Sequence, residues 1–345
     1  MLKTKITRPL VLIILIFAVL ALNGCQNYAI DNEQISNEEK IIIRFSHVVG
    51  EDTPKGMAAR EFARLMKEKS NGKIEVQVFA NGSLYRDGEE WDALQDGNIQ
   101  MIAPAMSKMT SQIPELEIFD LPFLFNNLEQ VHQLTDGQAG ELIFEKAGKY
   151  NVEPLAIWDN GFKQFTNNIK QLHKPEDFKG LTFRIMPSNV LKEQFNILGA
   201  NAEVRNFNDV YQSIINKEID GQENTISNIY TKRFHEVQNY LTLSNHGYLG
   251  YLVIINQDFW NQLSPENRQL ISATMQEVTE WQRLQAEEIH EKQLKAIKES
   301  KMIEIESLTE EEWFLFREKY SYLYKKFESR FDDTFSGEIK SLINN

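Results

Sequence analysis

The sequence predicts an α/β protein of two lobes connected by one long helix, and three observations support this. Strand-like runs alternate with helical ones, a pattern typical of α/β units with parallel strands. The stretch from Pro265 to about Lys301 contains no glycine and no internal proline. The body of the chain, from about Lys40 to Asn345, has about 300 residues, which is enough for two domains of ordinary size.

The N-terminus carries a short apolar run behind a basic start. Lys3, Lys5 and Arg8 precede the apolar run Leu10–Leu22, which ends at Asn23-Gly24-Cys25. The run is too short to cross a bilayer core, which takes a helix of roughly 20 residues. This layout is that of a secretory signal, and residues 1–24 are predicted to be removed. A plain membrane anchor or a buried helix is the alternative.

Cys25 is the only cysteine of the chain, and it lies where cleavage of the signal would occur. Leu22-Asn23-Gly24-Cys25 resembles the bacterial lipobox, whose cysteine is lipidated and becomes the first residue of the mature protein. Asn23 departs from the usual pattern, so that an ordinary cleaved signal is the alternative. Residues 25–39 are polar and predict a flexible tether between a lipid anchor and the body.

The mature chain is strongly acidic. Removal of the signal leaves 34 basic residues against 50 acidic ones, a net charge of −16. Such a surface repels nucleic acid and anionic lipid headgroups, so no nucleic-acid partner is expected. Any site for an anionic ligand must therefore depend on local cations held in a cleft.

The body is predicted to begin with a strand, and helices and strands then alternate. Thr53 before Pro54 fits an N-cap followed by the first helical position. Asn81-Gly82 predicts a turn. The predicted elements are, in order, a strand at Ile41–Val48, a helix at Thr53–Ser70, a strand at Lys73–Phe79, a short helix at Gly88–Leu94, and strands at Ile99–Ala103, Val152–Trp158, Leu181–Met186 and Tyr248–Asn256.

The stretch that opens at Pro265, with Ser264 as its N-cap, has apolar residues three to five positions apart. As a single helix to about Lys301 it would be about 55 Å long at roughly 1.5 Å per residue, longer than one domain is wide. It is therefore predicted to be a backbone helix that spans both lobes, and two helices with a break are the alternative. Residues 302–345 are predicted to form a C-terminal helical segment.

The familiar catalytic and cofactor motifs are absent from the sequence. It contains no Gly-x-Ser-x-Gly elbow, no phosphate loop and no dinucleotide fingerprint. The six histidines show no metal-ligand spacing, and the single cysteine is assigned to the anchor. The sequence therefore predicts a protein that is not an enzyme and that needs neither a cofactor nor a metal.

Two cations in the middle of the chain are candidates for binding an anion. Lys163 follows the predicted strand Val152–Trp158 and is expected where that strand enters a loop. Arg184 lies among the apolar residues of the predicted strand Leu181–Met186, and it needs a negative partner because a buried unpaired charge is costly. The partner is either an internal carboxylate or a ligand carboxylate, which a guanidinium holds by two parallel hydrogen bonds.

A dense polar cluster, Asp220-Gly221-Gln222-Glu223-Asn224-Thr225, precedes a predicted helix. The cluster is expected to begin with a turn at its glycine. The amide of Asn224 is able either to donate a hydrogen bond to a ligand oxygen or to cap the helix, and the local pattern leaves both roles open.

Several short motifs occur in order along the body. They are Phe45-Ser46-His47-Val48-Val49, Thr53-Pro54-Lys55-Gly56, Asn160–Gln164, Gly180–Pro187, Leu198-Gly199-Ala200, Asp209-Val210-Tyr211, Asp220–Asn224, Ser227–Lys232 and Ser244–Tyr248. Their order and spacing resemble the solute-binding subunit of tripartite ATP-independent periplasmic (TRAP) transporters, of the DctP type. The resemblance covers nearly the whole mature chain, from about Ile41 to the long helix.

The resemblance implies a fold like that of the type II periplasmic binding proteins, in which two α/β lobes are hinged around a cleft. Lobe I is expected at 40–160 with part of 247–265, and lobe II at 161–246. The bridging helix is expected at 265–301. A ligand in the cleft is expected to stabilise the closed form, because only that form makes contacts from both lobes.

The resemblance also implies which residues bind the ligand. Arg184 is expected to pair with a ligand carboxylate, and Asn224 is expected to contact the same group. Phe207 is expected to line the pocket, and Lys163 to face the ligand. Many relatives carry arginine at the position of Lys163, and lysine lacks the planar pair of donors that makes a bidentate contact.

Other departures narrow the ligand class. The Gln-Glu-Asn motif is commonly followed by proline, where this chain has Thr225, and Ala202 stands where another proline often occurs. The sialic-acid branch carries a glutamate near the position of Ala105, which argues against that ligand. His47, Thr225 and Ser227–Lys232 look like the four-carbon dicarboxylate branch, which implies succinate, fumarate or malate.

A dicarboxylate needs a second cationic or hydrogen-bonding patch opposite the first. The candidates for this patch are Lys163, His47 and Lys55. A solvated first-turn lysine is the alternative for Lys55, and a satisfied strand-end histidine is the alternative for His47. Residues ranked lower are Arg205, Trp158 and Tyr211.

The implied partners are a small carboxylate, the membrane permease subunits of the transporter, and the membrane through the lipid anchor. The expected location is extracytoplasmic, in the periplasm or on the outer face of the cytoplasmic membrane. A sensor that feeds a kinase or chemoreceptor is the first alternative. An extracytoplasmic enzyme acting on a carboxylate is the second, and it would turn the ligand over.

Overall fold

The computed structural model describes residues 40–331 and 333–344. Ile41–Asn345 packs as one compact unit. Its strands are β1 (Ile41–Ser46), β2 (Ile74–Phe79), β3 (Met101–Ile102), β4 (Val152–Asn167), β5 (Thr182–Ile185), β6 (Asn201–Val204), β7 (Gly221–Thr225), β8 (Tyr240–Asn256) and β9 (Glu304–Ser307). Its helices are α1 (Pro54–Lys69), α2 (Glu90–Gln95), α3 (Leu128–Asp136), α4 (Gln138–Ala147), α5 (Asn189–Ile197), α6 (Val210–Ile215), α7 (Ile226–Thr231), α8 (Gln257–Gln262), α9 (Pro265–Ser300), α10 (Glu310–Lys319), α11 (Ser321–Glu328) and α12 (Asp333–Asn344).

The strands form one mixed sheet in the order β2-β1-β3-β8-β4-β7-β5-β6, with β9 paired to β8. The first half of the sheet contains β1, β2 and β3, and the second half contains β5, β6, β7 and β9. The long antiparallel strands β4 and β8 run through both halves. The α/β prediction is thus confirmed, and the predicted lobe limits at 160 and 246 fall inside these two strands.

Strand β4 continues past the point where the sequence predicts its end. Its register with β8 shifts between Asp159 and Gly161 and again between Lys163 and Phe165, and such bulges bend a strand. Gly161 has a φ of +114°, which favours glycine at this bend. The predicted position of Lys163 at a strand-to-loop exit is therefore wrong, because the bulges interrupt the side-chain alternation while the pairing continues to Asn167.

The expectation of parallel strands holds for part of the sheet. β1 pairs in parallel with β2 and β3, and β5 with β6 and β7, whereas β4 pairs antiparallel with β7 and β8. β6, β7 and β9 are not among the predicted strands. The cluster around Glu223 forms β7 because its buried polar side chains bond within the sheet, as where Gln222 Nε2 donates to Thr166 Oγ1 (2.7 Å).

Helix α1 begins as predicted. Thr53 is its N-cap, and Thr53 Oγ1 accepts a hydrogen bond from the Gly56 backbone N–H (3.1 Å), while Pro54 occupies the first turn. A Cβ on Gly56 would lie 2.3 Å from the Gly50 carbonyl oxygen, so this contact requires glycine. The tight contact fixes the first turn of α1, which carries Lys55, against the loop that follows β1.

The long helix α9 is a single helix of 36 residues, which confirms the backbone-helix prediction over two broken helices. It contacts α1, which lies with the first half of the sheet, and α7, which lies with the second half. Gln282 bonds the main chain of β4 at its bulge, accepting from the Asp159 N–H (3.0 Å) and donating to the Asp159 carbonyl (2.6 Å). The helix therefore spans both halves and holds the bend between them.

The C-terminal segment contains α10, α11 and α12 together with β9, a strand that the prediction of a helical segment omits. Among the helices that the structure describes, none combines the length and the apolar character needed to cross a membrane. The predicted signal, Cys25 and the predicted tether lie outside the described residues.

Candidate functional site

A small cavity lies where loops from the two halves of the sheet meet. Its walls carry three cationic side chains, one carboxyl group, two amides and one phenol. The remaining wall is apolar and is formed by Val48, Val49, Pro104, Ala105, Met186, Phe207 and Leu249. The wall therefore combines several polar groups with apolar ones, as expected for a small organic anion.

Arg184, on β5, contributes a buried guanidinium to this cavity; its residue is 2% exposed. Its Nε donates to the backbone carbonyl of Arg205 (2.9 Å), and its charge lies 5.8 Å from the ring of Phe207. In the described part of the chain no carboxylate forms an ion pair with it. Burial lowers the pKa of Arg184 to about 10 although Glu223 opposes the shift, so the group is charged at neutral pH.

Asn224, at the end of β7, also lines the cavity, and its amide orientation is fixed by neighbours. Its Oδ1 accepts from Asn228 Nδ2 (2.7 Å), and its Nδ2 donates to Gln222 Oε1 (3.1 Å). The helix-capping role belongs to Thr225, whose hydroxyl accepts from the Asn228 N–H (3.4 Å). Of the two N–H groups of the Asn224 amide, one is therefore used by Gln222, and the other has no bond within the described residues.

Lys55 is buried (1% exposed) and lies in the cavity wall, so it is not the solvated residue of the alternative interpretation. Its Nζ donates to the Ala103 carbonyl (2.8 Å) and lies 3.8 Å above the ring of Tyr251. Burial lowers the pKa of Lys55 to about 7, with Glu90 raising it and Lys232 lowering it further. Tyr251 is held by Asn160, whose Nδ2 donates to its hydroxyl (2.7 Å).

Lys108 is a third cation in the wall, and the sequence did not single it out. It ends the short 3₁₀ helix Met106–Lys108 after β3 and forms an ion pair with the buried Asp87. Asp87 Oδ2 in turn accepts from the backbone N–H of Phe207 (2.5 Å). Burial and the charges of Arg184 and Lys55 lower the pKa of Lys108.

Glu90, the first residue of α2, is the carboxyl group of the cavity and is 6% exposed. Its Oε1 has no hydrogen-bond partner within the described chain. Burial raises the pKa of Glu90 to about 7, while Lys55 and the hydroxyl of Ser46 act in the opposite direction. Burial thus shifts the pKa of Glu90 upward and that of Lys55 downward, toward each other.

Contacts at the mouth of the cavity link the loop after β2 to the loop after β6. Arg86 pairs with Asp209 (2.6 Å), and the Asp87 N–H donates to Asn208 Oδ1 (3.0 Å). With the bond from Asp87 to Phe207, these contacts join the two loops beside the wall residue Phe207.

Lys163 is placed away from the cavity wall. Its Nζ pairs with Glu223 Oε1 (2.6 Å), and His246 Nε2 lies 2.8 Å from Glu223 Oε2. Burial acts to raise the pKa of Glu223, but the charge of Lys163 and the hydrogen bonds outweigh it and lower that pKa to about 2. Burial lowers the pKa of His246 to about 4, so that a neutral ring donates to Glu223 and accepts from Ser244 Oγ (2.7 Å). The ligand contact of Lys163 stays a prediction.

His47 is fully buried, and neither ring nitrogen has a hydrogen-bond partner among the residues described. Burial and the nearby charge of Lys55 lower the pKa of His47 to about 3. It is therefore neutral, and it lies one residue before the wall residues Val48 and Val49. It is not the satisfied histidine of the alternative interpretation, and its contact with a ligand stays a prediction.

The lower-ranked candidates lie outside the wall. Arg205 is engaged by Glu203 (2.7 Å) and Glu218, Trp158 donates to Thr279 Oγ1 (3.0 Å), and Tyr211 packs against the core.

Of the predicted site residues, the structure brings Arg184, Asn224, Phe207 and Lys55 together in the cavity wall. Sequence reasoning missed Lys108, Glu90, Asn228 and Tyr251. The sequence held a signal for Lys108, because ligands bind beyond the carboxyl ends of parallel strands and Lys108 follows β3.

Comparison with known proteins points to one family. The model of the DctP family, described as bacterial extracellular solute-binding protein, family 7, matches residues 45–330. The chain is also similar to the C4-dicarboxylate-binding protein DctB of Bacillus subtilis. The two are 42% identical over 319 residues, which cover 92% of this chain and 91% of DctB.

Solved structures of TRAP periplasmic solute-binding proteins have the same fold. One from Sulfurospirillum deleyianum, with bound succinate, superposes with a TM-score of 0.85 at 40% identity, covering 88% of this chain and 99% of that one. Another from Pseudomonas aeruginosa, with bound L-malate, superposes with a TM-score of 0.81 at 35% identity, covering 83% and 99%. In both cases the similarity extends over nearly all of the other protein.

Proposed function

Because the chain belongs to the bacterial extracellular solute-binding proteins of family 7, we propose that its cavity binds a C4-dicarboxylate for delivery to the permease subunits of a TRAP transporter. One observation carries the ligand assignment. The charged guanidinium of Arg184 is buried in a cavity wall without a carboxylate partner in the described chain. Such a charge is costly unless an anion pairs with it, so the site is incomplete without a ligand.

The other wall residues favour two carboxylates over one. Arg184 and Asn224 supply donors to the first carboxylate, while Lys55 and Lys108 supply positive charge to a second. The apolar wall suits the short hydrocarbon chain between them. Succinate and L-malate, bound in two of the similar structures, have this pattern of charges and carbon chain.

Delivery requires that the protein close on its ligand and open again. The contacts between Arg86 and Asp209 and between Asp87 and Phe207 exist only when the two loops meet. A ligand that touches residues from both halves, such as Arg184 and Lys55, stabilises the closed form by its differential affinity. The closed form is then the one that the permease subunits recognise. No catalytic step belongs to this function, so the ligand is released unchanged.

A screen of ligand-stripped protein by thermal unfolding tests the ligand class. Succinate, fumarate or malate at about 100 times its dissociation constant is expected to stabilise the protein by about 2.7 kcal/mol. Butyrate, a monocarboxylate of equal carbon number, is the matched control and should give a much smaller shift. A shift with sugar acids alone, or with butyrate equal to succinate, would contradict the dicarboxylate assignment.

We further propose that Cys25 carries a lipid that holds the protein at the outer face of the cytoplasmic membrane. The lipobox-like Leu22-Asn23-Gly24-Cys25 supports this. A Cys25→Ser variant is expected to lose its lipid and to appear in the soluble extracytoplasmic fraction, because buried acyl chains supply the membrane affinity. Fractionation of cells that express each protein measures this. Equal retention of both proteins in the membrane fraction would show that another segment anchors the chain.

A further inference from the structure

Glu90 is an unexpected group in a cavity built for an anion. Its residue is more than nine-tenths buried, its carboxyl group lies in the wall, and Oε1 has no partner among the described residues. An ionised carboxylate at this position would repel a ligand carboxylate. A protonated one would instead donate a hydrogen bond to it, as neutral carboxylic acids do in apolar sites.

We propose that Glu90 binds the dicarboxylate in its protonated form, so that ligand binding takes up one proton from solvent. This inference rests on the proposed function and goes beyond it by assigning a donor to the site and a proton to the binding step. The proton adds to one Glu90 carboxyl oxygen, which then donates to a ligand carboxylate, and no other bond changes.

The charges that face Glu90 support this assignment. Lys55 from α1, Lys108 after β3 and Arg184 from β5 share the cavity wall with it, and Lys232 lies nearby. Asp87 already offsets Lys108. The three wall cations carry three positive charges, of which Asp87 offsets one. Before the outlying Lys232 is counted, an ionised Glu90 leaves one net positive charge to face a dianion, and a protonated Glu90 leaves two. The protonated form therefore leaves more positive charge for a buried dianion.

The pKa values of Glu90 and Lys55 in the absence of ligand supply a second line of support. Burial raises the pKa of Glu90 to about 7, and burial lowers the pKa of Lys55 to about 7. A dianion in the cavity raises both values, because it favours the protonated form of each group. His47 does not compete for this proton, since its pKa is lowered to about 3.

The sign of the pH dependence follows from proton uptake. Below neutrality Glu90 already carries its proton, so affinity for a dianion is at its highest. Above neutrality each bound ligand must bring a proton, and the dissociation constant is expected to rise up to about tenfold per pH unit. Fumarate is the suitable ligand, because both of its carboxyl groups stay ionised over this range.

Calorimetric titration with fumarate at about pH 8, in two buffers of different ionisation enthalpy, counts the protons taken up. We expect an uptake of about one proton by Glu90, in addition to any proton that Lys55 takes up, for the wild type and for the control Asp92→Asn, an exposed acid on the same helix. The Lys55→Met variant should bind more weakly, and Glu90→Gln should lower the uptake by about one proton relative to the wild type.

Two results would overturn this inference and leave the proposed function standing. In the first, the wild type binds fumarate with no proton uptake. In the second, Glu90→Gln keeps the uptake while Lys55→Met loses it, which would assign the proton to the lysine. Absence of fumarate binding by the wild type at any pH would instead overturn the proposed function, and the inference with it.

Discussion

Replacement of Arg184 by alanine is expected to weaken succinate binding by about 2–5 kcal/mol, or roughly 30-fold to several thousand-fold. The physical reason is that the ligand carboxylate would lose its bidentate partner inside a closed cavity. Arg184→Lys keeps the charge but not the planar pair of donors, so an intermediate loss is expected. Isothermal titration calorimetry on ligand-stripped protein measures both effects.

The same substitution has an unusual expected effect on the ligand-free protein. Arg184 is buried without an ion-pair partner in the described chain, so its removal takes away an uncompensated charge and should not lower the free energy of unfolding. Arg44→Ala, at an exposed position on β1, is the matched control and should leave both binding and stability near the wild-type values. Normal succinate affinity in Arg184→Ala would refute the assignment of Arg184 as the ligand anchor.

Replacement of Glu223 by glutamine is expected to destabilise the protein by about 3–5 kcal/mol, because it leaves Lys163 buried and unpaired. The double variant Lys163→Met with Glu223→Gln should recover much of that loss, since the uncompensated charge is then gone. Urea unfolding of the ligand-free proteins measures the free energies. Glu68→Gln, which breaks the exposed pair with Arg64, is the control and should cost less than about 1 kcal/mol. If Glu223→Gln lowered the free energy of unfolding by as little as Glu68→Gln does, the result would contradict a buried ion pair between Lys163 and Glu223.

The pH dependence of this pair has a definite sign. The pKa of Glu223 in the folded protein is about 2, below its ordinary value of 4.5. Its stabilising contribution is therefore complete above the ordinary value and is lost as the pH falls toward 2. The double variant should lack this contribution. Its affinity for succinate also tests the predicted ligand contact of Lys163, since a direct contact would make binding weaker.

Much of the fold could be predicted because its signals are local. Helix α1 has a side-chain N-cap and a proline in its first turn, and α9 lacks any residue that would break it. β7 could not be predicted in the same way, because all five of its residues are buried although most of them are polar. Its stability depends on hydrogen bonds to β4, a strand distant in sequence, and periodicity does not report such partners.

A residue of the candidate site could be predicted where its own sequence context shows that it requires a binding partner. Arg184 is a charge in an apolar strand, which requires a partner wherever the strand lies. Lys55 and Glu90 lie on helices at separate places in the sequence, and only the packing of α1 against the loops brings them to one wall. For Lys163 the sequence could not show that a neighbouring strand supplies Glu223, because that pairing depends on the register of β4 with β7.

A crystal structure of the protein with succinate tests the central claim most directly. We expect one succinate in the cavity, with one carboxylate within hydrogen-bonding distance of the Arg184 guanidinium and the Asn224 amide. The other carboxylate should face Lys55 and Lys108. Succinate bound elsewhere, or an Arg184 guanidinium paired with a carboxylate of the protein while the cavity holds no ligand, would contradict the proposed function.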